Sequence, residues 1–143
     1  MAIDLSNLNR ARSGLNRYTG EALFGWDHVI QSLNNIFMQP YGQRVMREWV
    51  GSMVPVLLGR SNITPNDVLP FWQSLWVTIQ TFEPGFAVTQ IRPLNANVGG
   101  ELACLVEGEY RPLGHLGNET AEGGRRIRFT AGPDGSGRAE ALG

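Results

Sequence analysis

Lysine is absent from this 143-residue chain, and all 12 of its basic residues are arginine. Codon bias in a GC-rich genome accounts for that as simply as a preference for fork-shaped arginine contacts does. Basic excess is missing too: 12 basic residues face 13 acidic ones, for a net charge of −1. That excludes a generally basic nucleic-acid binder held by a phosphate-neutralising surface. A single cysteine, Cys104, excludes an intramolecular disulfide and a multi-cysteine zinc site. Its neighbours Leu102, Ala103, Leu105 and Val106 predict a buried thiol rather than a nucleophile. No apolar run approaches the ~20 residues that span a bilayer, and no apolar signal segment opens the chain. No membrane association and a soluble, cytoplasm-like setting are expected. Charge is scarce as well, 17% of residues against roughly 25% in an average soluble protein.

What is present divides into helical and strand-like halves. Residues 1–20 read as a flexible arm, because Asn7, Asn9, Asn16, Gly14 and Gly20 break every apolar stripe. Trp26, Val29, Ile30, Leu33, Ile36 and Phe37 then recur at helical spacing, with Gln31, Asn34 and Asn35 on the other face and Pro40 beyond the end. Residues 39–51 lie between breakers and predict a structured loop with an extended piece around Arg44–Arg47. Ser52 and Asp67 each stand three residues before a proline, a capping arrangement that predicts two more helix starts. The first gives a short helix through Val56–Leu58. The second starts at Asp67 rather than Thr64-Pro65, and carries Phe71, Trp72, Leu75, Trp76, Ile79 and Phe82 on one face.

After Pro84-Gly85 the period falls to two. Strands are predicted from Phe86, from Leu102 towards Tyr110, and over Arg126–Thr130 with Ile127 and Phe129 inward. Residues 132–143 read as a flexible tail. The fold expected is α+β, with N-terminal helices packed on a small antiparallel C-terminal sheet in one domain over residues 21–131.

The search for chemistry returns little. His28 and His115 have no ligand-spaced neighbours, so no metal site, no triad and no cofactor are expected. The pieces around Gly99-Gly100 and Gly123-Gly124 lack the lysine and helix of a phosphate loop. Glu107 and Glu109 fall on one face of a strand, as a solvated surface would place them. No enzymatic activity is expected. Trp26, Trp72 and Trp76 fall on apolar stripes and read as core, whereas Trp49 sits in the loop as either a core plug or an interface anchor.

The most informative stretch is Tyr18-Thr19-Gly20, Gly25-Trp26-Asp27-His28-Val29-Ile30-Gln31-Ser32-Leu33, Pro40-Tyr41-Gly42-Gln43-Arg44-Val45-Met46-Arg47, Gly51-Ser52 and Pro55-Val56-Leu57-Leu58. In combination and spacing it resembles the baseplate-wedge family of contractile phage tails, which includes a baseplate component of type VI secretion systems. The resemblance spans roughly Asn16 to Tyr110. A Glu-Pro-Arg triplet marks the family; here Glu83 and Pro84 match and Gly85 replaces the arginine.

The resemblance implies a structural subunit of the tail baseplate that initiates sheath assembly, its sheet edge taking extended arms of the sheath protein as added strands. The partners implied are other wedge subunits and the tail sheath protein, in a virion assembled in the host cytoplasm. Interaction roles are expected for Arg44, Arg47, Trp49, Glu83, Pro84 and Arg92, the last as a stand-in for the missing arginine. Gly42 and Gly51 are assigned backbone geometry that a Cβ would hinder. Two alternatives stand beside it: a type VI secretion or tailocin-like particle, and a small nucleic-acid-binding module using Arg125, Arg126 and Arg128.

Overall fold

The computed structural model describes residues 13–55, 65–97, 99, 101–132 and 137–142. In chain order the elements are β1 (Ser13–Leu15), β2 (Ala22–Phe24), α1 (Gly25–Phe37), α2 (Pro65–Phe82), β3 (Phe86–Ala96), β4 (Leu102–Tyr110), a 3-10 turn (Gly114–Leu116), β5 (Gly123–Ala131) and β6 (Gly137–Leu142). The α+β expectation holds. β3-β4-β5-β6 form one antiparallel sheet in sequence order, and β1-β2 form a separate two-stranded hairpin.

Alternation along the sheet assigns its two faces. The rows Pro93–Cys104–Phe129–Ala139 and Ile91–Val106–Ile127–Ala141 point towards the helices. Val29, Leu33 and Phe37 from α1, and Phe71, Leu75 and Ile79 from α2, close the core over them. Phe37 meets Phe129 edge-on at 5.1 Å, and Trp26 packs at 5.4 Å from both Phe86 and Tyr110. Each fully buried phenylalanine contributes on the order of 1.5–3 kcal/mol through its removal from water. The other face carries Arg92–Leu105–Arg128–Glu140 and Gln90–Glu107–Arg126 in rows, a solvated pattern of mixed charge. Cys104 lies in the core, where burial pushes its thiol up to about 12. The thiolate nucleophile is thereby suppressed.

Several elements differ from the sequence expectation. Within the residues read as an arm, Ser13–Leu15 pairs with Ala22–Phe24. The Asn and Gly that break the apolar stripe there build the turn: Asn16 Oδ1 accepts the Tyr18 and Thr19 N–H groups at 2.9 and 3.3 Å, and Gly20 takes φ +75°. Residues 1–12 lie outside the described set.

α2 starts at Pro65, not Asp67, and holds Pro70 inside. Pro70 and Asn66 are both exposed, so the carbonyl that loses its helical partner faces water. Ser52 does cap: its Oγ accepts the Val54 N–H at 3.0 Å. The short helix expected over Val56–Leu58 falls outside the described residues. Arg44–Arg47 is a turn, not an extended piece, with Arg47 N–H donating to the Arg44 carbonyl at 3.2 Å. Trp76 is 39% exposed rather than core.

The largest difference is at the far end, where residues 137–142 of the expected tail form β6. Their small side chains suit the place, because Gly137 and Ala139 lie under α1.

Candidate functional site

Residues 39–52 form a loop whose ends are pinned together. Ser52 N–H donates to the Gln39 carbonyl at 2.8 Å, Gly42 N–H to the Glu48 carbonyl at 2.9 Å, and Pro40 bridges Ser52. Two glycines make the closure possible. Gly42 takes φ +85°, a region that L side chains rarely enter. A Cβ on Gly51 would stand 2.8 Å from Tyr41 N and 2.9 Å from the Gln39 carbonyl oxygen, too close for any residue but glycine.

The tip that this closure presents is apolar. Val45, Met46 and Trp49 are 86%, 88% and 68% exposed. Met46 is the single non-glycine residue with positive φ (63°) among those described, so the tip holds a local strain. Arg44, half-buried, and Arg47, exposed, flank Val45 and Met46 along the chain. Large apolar side chains held out by a backbone-closed loop, with arginine beside them, have the composition of a protein-docking anchor. Trp49 is therefore outside the core.

Glu83 and Pro84 lie elsewhere, at the corner between α2 and β3. Glu83 is 1% exposed; its Oε1 accepts the Gly85 N–H at 3.2 Å, and its own N–H continues the helix to the Ile79 carbonyl at 3.0 Å. Gly114 covers this corner so closely that a Cβ there would stand 2.0 Å from the Pro84 carbonyl oxygen. Glu83 thus shapes the corner from inside, and only Pro84 reaches the surface.

Where the sequence has Gly85 in place of arginine, a Cβ would meet Glu83 Oε1 and Val29 Cγ2 at 3.1 Å. Arg92, six strand positions beyond Phe86, turns to Glu107 at 3.3 Å and Gln90 at 3.0 Å on the solvated face. Arg111 is the arginine beside Gly85, its N–H donating to the Gly85 carbonyl at 2.8 Å. Tyr110, next to it, has its phenol pushed up by burial first, then by Glu122 and Glu83, against the opposing pull of Arg125.

The arginine cluster does not form one surface. Arg126 and Arg128 face solvent opposite Glu107 and Glu140, while Arg125 lies over the Trp26 and Tyr110 rings at 5.8 and 5.9 Å. Among the described residues, no group of three or more His, Cys, Asp or Glu could hold a metal, and no helix is long and apolar enough to cross a membrane.

One set of residues escaped the sequence reading. Gln31, Asn34 and Asn35, the polar face of α1, are used to hold backbone and side chains of other elements. Gln31 accepts the Arg17 N–H at 3.0 Å and donates to the Leu15 carbonyl at 2.8 Å, and Asn35 accepts from the Arg17 guanidinium. Asn34 accepts the Ala139 N–H at 2.7 Å and donates to the Ala139 carbonyl at 3.0 Å. Each of these two carboxamides imitates one residue of a neighbouring strand. Nothing in composition distinguishes such an amide from one facing water.

No protein-family model matches the chain. Among curated proteins, it is 24% identical over 101 residues to Baseplate protein W of Escherichia phage P2, which covers 71% of this chain and 86% of that protein. Among solved structures, a chain of the postcontracted baseplate of pyocin R2 shares the fold, with a TM-score of 0.59 and 24% identity. That match covers 70% of this chain and 99% of the other. The resemblance carried by residues 16–110 and these two matches agree: the chain is similar, in sequence and in fold, to baseplate proteins of contractile tails.

Proposed function

We propose that this protein is a non-enzymatic structural subunit of a contractile-tail baseplate, a wedge component that initiates sheath assembly. It resides in the tail baseplate of the virion and assembles in the host cytoplasm. The closed loop 39–52 carries the reading, since it fixes an exposed apolar tip in place for a neighbouring subunit. Val45, Met46 and Trp49 supply the buried area of that contact, and Arg44 and Arg47 its polar rim. The four-stranded sheet supplies a free edge to an extended arm of the sheath protein, whose main-chain groups complete the ladder. Similarity along 86% of Baseplate protein W supports this placement. The same role in a pyocin-like or type VI secretion particle is the second reading, favoured by the pyocin origin of the solved structure with this fold.

Cryo-electron microscopy of intact tails tests it directly. Density for this chain between the baseplate and the first sheath ring, with loop 39–52 against a neighbour, is the expected result. Tails that assemble fully without this chain would overturn the proposal.

A further inference from the structure

Among the described residues, left-handed backbone occurs at Gly20, Gly25, Gly42, Gly117 and Met46. A Cβ makes that conformation unfavourable, and glycine or asparagine usually stands there. Met46, at φ 63°, nonetheless carries a long apolar side chain in it. Strain of this kind gathers at sites that function uses. The side chain itself lies outside the core, 88% exposed. Loop 39–52 is closed by main-chain bonds between Gly42 and Glu48, Ser52 and Gln39, Arg47 and Arg44, and Val50 and Arg47.

Chemistry separates Met46 from its neighbour Val45 at the tip. Valine offers only hydrocarbon, whereas a thioether is soft, apolar and oxidisable. Hydrogen peroxide converts it in one two-electron step. A sulfur lone pair takes one peroxide oxygen, the O–O bond breaks, and the proton on that oxygen leaves with the departing hydroxide as water. Sulfur is oxidised to the sulfoxide and the peroxide is reduced. The product is polar and chiral, with an oxygen that accepts hydrogen bonds. Inside an apolar contact that oxygen is buried without a donor and weakens binding. On the free loop it is hydrated and leaves the fold unchanged.

The other described methionines are placed differently. Met38 is half-buried, its sulfur against Gly137 just beyond the end of α1. Met53 is 45% exposed, between buried Ser52 and Val54. Access to oxidant follows exposure, which ranks Met46 ahead of both.

We infer that Met46 is an oxidation site that switches the docking tip: the thioether binds the neighbouring subunit, and the sulfoxide does not. This rests on the docking reading of loop 39–52 proposed above. The switch acts before assembly, because the contact that needs the thioether also covers it. It is reversible, since methionine sulfoxide reductases return the sulfoxide to the thioether.

The test treats the purified full chain with hydrogen peroxide and maps the product by peptide mass spectrometry. The chain is then added to an extract of particle-producing cells that lack its gene, and sheathed tails are counted by electron microscopy. Met46 should oxidise several-fold faster than Met53, and faster still than Met38, with the melting temperature unchanged. Roughly tenfold fewer sheathed tails are expected from the oxidised chain, as for one polar oxygen buried without a partner. Methionine sulfoxide reductase should restore the count, and peroxide should leave the count from a Met46→Leu chain where it was. Equal or faster oxidation at Met53 or Met38 would overturn the inference. So would full tail numbers from a chain oxidised at Met46, or a peroxide loss that Met46→Leu shares; these outcomes leave the baseplate reading intact. Failure of the untreated chain to restore sheathed tails would remove that reading and this one together.

Discussion

The core face of the sheet and the loop 39–52 treat apolar side chains in opposite ways. Cys104, Phe129 and Ile127 are about 1% exposed under two helices, whereas Val45 and Met46 are almost wholly in water. The sheet gains stability from what it buries. The loop is closed by main-chain hydrogen bonds and two glycines, with its tip side chains held out in water. Folding and display are thus separable, and substitutions at the two places have different effects.

The largest break in that contrast is Phe129→Ala, which removes the ring between Phe37 and Phe71. A loss of about 3–5 kcal/mol is expected in denaturant unfolding. Gly51→Ala comes next, because the loop must open to admit the Cβ; a loss of about 1–3 kcal/mol is expected, with faster proteolysis within 39–52. A third effect sharpens the core side. Cys104 keeps its proton in the fold up to about pH 12 but releases it near 9.0 when unfolded. Its contribution is therefore intact below pH 9 and falls as pH rises towards 12. Unfolding at pH 10 should lose about 1.4 kcal/mol, and a Cys104→Ala chain should lose less over the same interval. Smallest is Trp49→Ala, expected within about 0.5 kcal/mol of the natural chain yet poorly incorporated into tails. A large drop in melting temperature would show that the tip supports the fold after all.

The apolar face of α1 was legible because Val29, Leu33, Ile36 and Phe37 repeat at helical spacing, and burial follows from that repeat. Its opposite face was not. An asparagine reads the same whether it meets water or a strand, and the partner of Asn34 stands 105 residues away. β6 was missed for a related reason: glycine and alanine look like a tail until a helix is found lying over them. Glu83, given an interaction role by the resemblance, stands buried at the corner between α2 and β3. The Gly85 N–H and the covering Gly114 make it part of the corner. Glu83→Ala should accordingly cost about 1–3 kcal/mol by stranding a buried donor. The loop's apolar tip was partly readable, in Arg44, Arg47 and Trp49. The left-handed φ of Met46 belongs to the folded loop alone.

The bond between Asn34 and Ala139 also sets an order of events. α1 leaves the ribosome early, yet the strand it must cover is synthesised about a hundred residues later. Until then β5 is the raw border of a three-stranded sheet, with its ladder groups unpaired. A contact of such sequence separation forms late. Chains stopped short of Gly137 would therefore expose that border, and be the ones that aggregate or meet a protease first. A subunit lacking β6 therefore leaves β5 without its outer neighbour and Asn34 without its partner at Ala139.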